Sequence, residues 1–94
     1  MLLVDRLIWD EWNVAHLARH RVTPDQVEEV CAGDPVVQRG HSGRILVFGP
    51  LKSGKMIAVV LDPEGNGAYY PVTARPASRR ERAIYQQEKG GETL

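Results

Sequence analysis

Apolar residues along the chain fall into short runs of two kinds, and the change from one to the other sets the expected elements. LLVDRLIW, residues 2–9, is short and apolar and reads as a first strand ending near Trp9. WNVAHLARH follows, with Trp12, Ala15 and Ala18 or Arg19 at helical spacing. That spacing predicts a helix buried on this face, with Asp10 as its N-cap. In TPDQVEEVCAG the start and stop signals agree. Thr23 caps, Pro24 takes the first helical position, Gln26 completes a capping box and Gly33 ends the helix. Val27, Val30 and Cys31 form its buried stripe.

After the Asp34-Pro35 turn the helical period gives way to strand patterns. VVQRG reads as a short edge strand, and RILVFGPL and MIAVVLDP as continuous, β-branched, buried strands. EGNG is a turn, and AYYPVTAR is the last strand. Pro71 cannot donate to a ladder, so part of that strand is expected on an edge or at a bulge. Ser78 and Glu81 form a second capping box, opening a helix over RRERAIYQQEK that ends at Gly90-Gly91. Residues from about 90 to 94 read as a frayed tail. The order β-α-α-β-β-β-β-α predicts one α+β domain over residues 1–94. Its core would be a small antiparallel meander, with two N-terminal helices and one C-terminal helix.

The stretch GPLKSGKM, from Gly49 to Met56, nearly matches the phosphate-binding pattern G-x-x-x-x-G-K-[ST]. A phosphate loop, however, opens a helix whose free N–H groups hold the anion, and a Ser or Thr after the lysine holds magnesium. Here Met56 takes that position and a strand pattern follows. The stretch is therefore a hairpin tip carrying Lys52 and Lys55, solvated by default.

Twelve Lys or Arg balance twelve Asp or Glu, yet the charges are segregated. Residues 1–35 hold three Arg and seven acids, a net of −4; residues 36–94 hold nine Lys or Arg and five acids, a net of +4. The densest basic cluster is ARPASRRER, with Arg75, Arg79, Arg80 and Arg82. Such a cluster attracts a polyanion or lies on a solvated helix face, with its arginines paired to Glu81 and Glu88. Arg79 and Arg80 fall in the first turn of the last helix, where the dipole disfavours cations, so helix stability does not account for them. The single cysteine, Cys31, excludes an internal disulfide framework and fits a reducing compartment. The N-terminus carries charge by its fifth residue and is expected to be neither signal peptide nor membrane span. A cytoplasmic protein without a membrane partner is the expectation.

Three segments together resemble the BrnT-like toxins of type II toxin–antitoxin systems, within the RelE/ParE-like group of small ribonucleases. They are IWDEWNVAHLARHRVTPDQVEEV, the DPVV turn, and VTARPASRRERAIY, in that order and spacing, over about Ile8 to Gln86. The chain departs from the family's pattern in two places. Trp12 and His16 stand where Lys and Asn are common, in a stretch one residue shorter, and the segment around His41-Ser42 is compressed.

The resemblance implies a RelE-like fold and a growth-inhibiting, metal-independent endoribonuclease without cofactor. Its partners would be a cognate antitoxin and an RNA substrate, with DNA reached only through the antitoxin. Such cleavage has a 2′-hydroxyl attack the adjacent phosphorus. It needs a base, an acid for the leaving 5′-oxygen, and cations around the phosphorane. Arg75 matches a basic position associated with toxin activity, and His20 matches the histidine that closes the family's first helix. With Arg80 they form the expected catalytic set. Arg79, Lys55 and Tyr85 are the expected RNA contacts. Arg79, Arg82 and Tyr85 are expected on an exposed ridge that an acidic, helical antitoxin would cover.

Each assignment has a structural alternative. Arg75 can pair with Glu81 or cap a carbonyl, and His20 can bond a carbonyl at a helix end. His41, in a loop, can serve instead of His20. His16 and His20 share a helix face, but no third metal ligand stands at a matching spacing and Cys31 belongs to a buried stripe, so no metal is expected. The rival function is a non-catalytic binding module that acts with a DNA-binding partner in autorepression.

The hairpin reading of GPLKSGKM has a direct check. Magnesium ATP at a large excess should leave the melting temperature unchanged, whereas a bound nucleotide at about a hundred times its Kd would add roughly 2.7 kcal/mol. A rise in melting temperature abolished by Lys55→Ala would restore the phosphate loop.

Overall fold

The computed structural model describes residues 4–90. The chain runs β1 (Arg6–Leu7), α1 (Glu11–Ala18), α2 (Pro24–Ala32), β2 (Val36–Arg39), β3 (Ile45–Pro50), β4 (Met56–Gly65), β5 (Ala68–Pro76) and α3 (Arg79–Tyr85). A 3-10 turn at His41–Gly43 links β2 to β3, and a wider π-helical turn at Gln86–Gly90 continues α3. This is the α+β order the sequence predicts, in one layered unit. Among the described residues no helix is long and apolar enough to cross a membrane.

The five strands lie in the order β1-β5-β4-β3-β2. β2 to β5 form the expected antiparallel meander, with β2 at an edge. The sheet as a whole is mixed, because β1 joins β5 in parallel, pairing Arg6 with Ala68 and Leu7 with Tyr69. The cause lies in the two helices. They carry the chain over one face of the sheet, from β1 at one edge to β2 at the other, so the first strand meets the last. β1 is also far shorter than the expected run over residues 2–9, part of which lies outside the described residues.

Turn chemistry fixes the meander. Asn66 (φ +56°) and Gly67 (φ +77°) join β4 to β5 through a two-residue turn with both residues left-handed. The positive φ favours glycine at Gly67, and a Cβ there would also make the Asp5 side chain move aside. Leu51–Lys55 closes the β3–β4 hairpin, with the Leu51 N–H donating to the Lys55 carbonyl at 2.7 Å and the Gly54 N–H to the Leu51 carbonyl at 2.8 Å. GPLKSGKM is thus a hairpin tip. Pro71 stands beside a bulge, as expected: the register passes from Val60↔Thr73 to Leu61↔Pro71, leaving Val72 extra. β1 has ended by then, so the missing donor interrupts no ladder on that side.

All three predicted caps form. Asp10, Thr23 and Ser78 each accept from the N–H three residues on, and each capping box is closed by the side chain at that position. The α1 face differs from its prediction. α1 buries Asn13 and Leu17, while Trp12 is 78% exposed and Ala15, Ala18 and Arg19 are also exposed. Asn13 decides this. Its Oδ1 accepts from the Asp10 N–H at 3.0 Å and its Nδ2 donates to the Ile8 carbonyl at 2.9 Å. An amide bonded through both its oxygen and its nitrogen can be buried, and it turns Leu17, one helical turn on, inward with it. Trp12 is left facing out. At the other end of the chain, the helix predicted to run to Gly90-Gly91 keeps α-geometry only to Tyr85, and Gly91 with the predicted frayed tail beyond it lies outside the described residues.

The larger core lies between the sheet and α1–α2, built from Leu17, Val22, Val27, Val30 and the inward residues Val47, Ile57, Val59, Leu61 and Ala74. Cys31 packs against it half-buried. The second face carries a smaller cluster of Val36, Phe48 and Ala58 under Ile84 and Tyr85. These residues form one row across the sheet, since Val36 pairs with Phe48, Phe48 with Ala58, and Ala58 with Arg75. α3 lies over that row. In the next row on the same face, Gln38–Leu46–Val60–Thr73, Leu46 packs half-buried against this cluster, and Gln38, Val60 and Thr73 are half-buried outside it.

Removing the Asn13 amide should therefore destabilise the fold where removing the tryptophan does not. Asn13→Ala should lose about 1–3 kcal/mol in urea unfolding, because the Ile8 carbonyl and Asp10 N–H lose their partner. Trp12→Ala should stay within about 0.5 kcal/mol of the parent. The reverse order would mean that α1 buries the predicted face after all.

Candidate functional site

Strand alternation sends Ala74 into the main core and turns its neighbour Arg75 to the opposite face. There the guanidinium meets Glu81, from the first turn of α3, in a two-pronged pair of 2.7 Å (Nη1–Oε1) and 2.8 Å (Nη2–Oε2). Glu81 Oε1 also accepts the Ser78 N–H at 2.8 Å, while Ser78 Oγ accepts the Glu81 N–H at 3.1 Å. One carboxylate thus closes the helix cap and holds the strand. Glu81 is only 8% exposed, and its pKa is lowered to about 2, chiefly by the Arg75 hydrogen bonds and further by the Ser78 N–H, against the opposing effect of burial. Arg75 is raised in turn by the same partner. The alternative role of Arg75, pairing with Glu81, is thus the one it takes, although 42% of its side chain remains exposed.

That exposed part borders a groove of about 460 Å³ on the half-buried row. Leu46 and Val60 form an apolar floor, and His41, Ser42 and Arg44 form the wall opposite Arg75. The wall is a tight turn. The Gly40 N–H donates to the Arg44 carbonyl at 2.7 Å, the Arg44 N–H donates to the His41 carbonyl at 3.0 Å, and Ser42 is left-handed at φ +58°. A smaller hollow beside it is lined by Arg39 and Arg44. Among the described residues the ion pairs are Arg75–Glu81 and Lys89–Asp34, so Arg39 and Arg44 carry uncompensated charge. No carboxylate lines either hollow. Two guanidiniums and an imidazole over an apolar floor suit an anion joined to a flat apolar group.

The other predicted site residues lie apart from this groove. His20 follows α1, in the helical layer on the far face of the sheet, so it does not share a site with Arg75. Its ring stands 6.3 Å from that of His16, and among the described residues no three His, Cys, Asp or Glu side chains gather as a metal-ligand set. Burial and the neighbouring Glu28 push the Cys31 thiol up to about 12, so it stays protonated. Arg79 and Arg80 are exposed on the first turn of α3, and neither lines the groove. Arg82 is exposed and donates to the Ala77 carbonyl at 2.9 Å. Lys55 sits on the hairpin tip, at the opposite end of β3 and β4 from the Arg44 wall.

Tyr85 is the clearest departure. It packs half-buried on the Val36–Phe48–Ala58 cluster with its hydroxyl toward the Asp34 carbonyl, so it belongs to the core edge and not to an exposed ridge. The other two tyrosines are likewise engaged. Tyr69 packs on the main core, and the Tyr70 hydroxyl donates to the Asp10 carboxylate at 3.0–3.1 Å.

His41 was visible in the sequence only as a loop histidine, and Arg44 not at all. Their approach to Arg75 depends on register, Leu46↔Val60↔Thr73, which no local pattern encodes. The chain matches no protein-family model and no curated protein.

The Arg75–Glu81 pair has a pH signature. A carboxylate lowered from 4.5 to about 2 contributes stability above pH 4.5 that is lost as pH falls toward 2. Because Arg75 is partly solvated, about 2 kcal/mol is a realistic size. Urea unfolding across that window should show the loss in the parent and not in Glu81→Gln, which should already be weaker at pH 7. Parallel acid profiles would remove the pair from the stability of the fold.

Proposed function

We propose that the chain is the toxin of a toxin–antitoxin pair, cytoplasmic like its target, and that it cleaves RNA without a metal through the groove at Arg44, His41 and Arg75. The single observation carrying this reading is the groove beside the α3 cluster, walled by unpaired Arg44, His41 and the exposed part of Arg75 and lined by no carboxylate. A phosphate seated between Arg44 and the exposed edge of Arg75 would place its base over Leu46 and Val60. His41 is the imidazole beside it, and it takes the proton-transfer role. Arg44 supplies most of the charge for the phosphorane, since Arg75 is already half-neutralised by Glu81. The resemblance to BrnT-like toxins supports the same class. An acidic antitoxin would cover Arg79, Arg80 and Arg82 on α3 and shield the groove, and DNA would be reached only through that partner.

A second reading has its own support. The Arg75 fork is filled by Glu81, and His20 is remote from it. Both fit a protein-binding module that represses its own operon with a DNA-binding partner and performs no chemistry.

Expression without a partner separates the two. The parent should arrest growth and cleave RNA in vitro in the presence of a chelator. His41→Ala should lower cleavage about a hundredfold or more, and Arg44→Ala about as much, with melting temperatures unchanged because both residues are exposed. Arg75→Ala is read only beside Glu81→Gln, since either variant disturbs the α3 junction. Full cleavage by both groove variants would move the chemistry elsewhere, and no cleavage by the parent would favour the binding module.

A further inference from the structure

α1 turns Asn13 and Leu17 into the core, and a different stripe of the same helix is left in solvent. Trp12, His16 and Arg19 stand one and two helical turns apart and share this stripe. Trp12 and His16 line an open hollow of about 350 Å³ with Tyr70, Val72 and Thr73 of β5. The Tyr70 hydroxyl donates to both oxygens of Asp10, which sets that carboxylate at the N-terminal end of the stripe. Along the helix the stripe therefore runs carboxylate, indole, imidazole, guanidinium. All four residues are exposed, and among the described residues neither Asp10 nor Arg19 belongs to an ion pair. The strand beneath is also open. Among the described residues β1 pairs with β5 at Ala68 and Tyr69, and the Ile8 N–H adds one bond to the Tyr69 carbonyl. From Pro71 onward β5 has a strand on one side alone. That edge is poorly suited to an added strand, because Pro71 and Pro76 have no N–H and the bulge at Val72 breaks the ladder spacing. A helix beside α1 suits it better. Turned end for end, the α1 stripe is its own complement, with acid against base at each end and ring against ring between.

We propose that two copies of this chain associate across a two-fold axis through α1, the two helices antiparallel above the open edges of β5. Asp10 then faces the partner's Arg19 and Trp12 faces the partner's His16, and the symmetry makes each contact twice. A parallel arrangement would instead set carboxylate on carboxylate and guanidinium on guanidinium. The axis runs through the sheet, so both helical layers stay on one face. Both Arg44–Arg75 grooves then open together on the other. α1 is about 12 Å long, too short to bury the roughly 800 Å² a side of a standard interface. The dimer is accordingly a weak one that forms as concentration rises. It does not depend on the RNA reading of the groove.

Sedimentation equilibrium of the full chain, over about a hundredfold range of concentration, reads the association directly. The parent should rise toward twice the mass of one chain. Trp12→Ala should associate about tenfold more weakly, or worse, with an unchanged melting temperature in dilute solution. Arg19→Glu should weaken the dimer about tenfold, and high salt should bring it back toward the parent. Asp10→Asn keeps an oxygen for the Asn13 N–H and should weaken the dimer about threefold. The combination of the two carries the sign. Asp10→Asn should strengthen the Arg19→Glu dimer, because it removes the carboxylate that the new glutamate would face. A parent that keeps the mass of one chain at every concentration would overturn the proposal. So would a dimer indifferent to Trp12→Ala and Arg19→Glu, or one that Asp10→Asn weakens equally in both backgrounds. Binding of a different protein that needs Trp12, with the parent itself a single chain, would overturn it and assign the stripe to that protein. Growth arrest and RNA cleavage play no part in these readouts, so failure here leaves the groove reading standing.

Discussion

The junction of Arg75, Glu81 and Ser78 determines how the second face of the sheet is used. A strand that turns into a helix within three residues needs its direction fixed, because the helix could otherwise swing about the connection. Here one nearly buried carboxylate accepts the cap N–H and both prongs of a guanidinium rooted in β5. The constraint sets α3 across the strands, so that Ile84 and Tyr85 reach Val36 and Phe48. Lys89 then closes the far end on Asp34 at 2.9 Å. A helix of seven residues is about 10.5 Å long, while the row from β5 to β2 spans three strand gaps, about 14 Å. The helix and its wider last turn are used up in crossing one row, and the next row stays only half-buried.

Much of this was legible in the sequence, and the legible parts share a cause. Capping boxes, two-residue turns and β-branched runs are local, so Asp10, Thr23 and Ser78, the turn at Asn66-Gly67 and the succession of elements along the chain could be read within a few residues. The misreadings came from interactions that reach further. The parallel pairing of β1 with β5 joins residues about sixty positions apart, and nothing in either strand announces the partner. The face of α1 was misread because Trp12 is the more hydrophobic residue. The deciding term was hydrogen-bond satisfaction, since Asn13 fills the N-terminus of the helix and can be buried without penalty.

The site divides the same way. Arg75 could be picked out from its place where a strand meets a helix, but its partner decided its role, and both outcomes were open until the geometry of Glu81 was known. Tyr85 looked like an exposed aromatic in a basic helix. It is instead the residue whose ring seats α3 on Gly49 and Pro35, a position where even a Cβ on Gly49 would be crowded. Arg44 and His41 carried no local signal, because their meaning comes from standing opposite Arg75 across three strands.

The segregation of charge acquires a structural reason from this arrangement. The acidic N-terminal part forms the helical layer on one face, and the groove with its free arginines opens on the other. Opposite charges this far apart, near a Debye length of about 8–10 Å, cancel in the net charge without cancelling locally. A neutral chain can therefore present a cationic face to a polyanion. Within that face the burden falls unevenly, since Glu81 neutralises Arg75 and leaves Arg44 the strongest unpaired charge at the groove. The same carboxylate that orients α3 thus also decides which arginine can answer a phosphate.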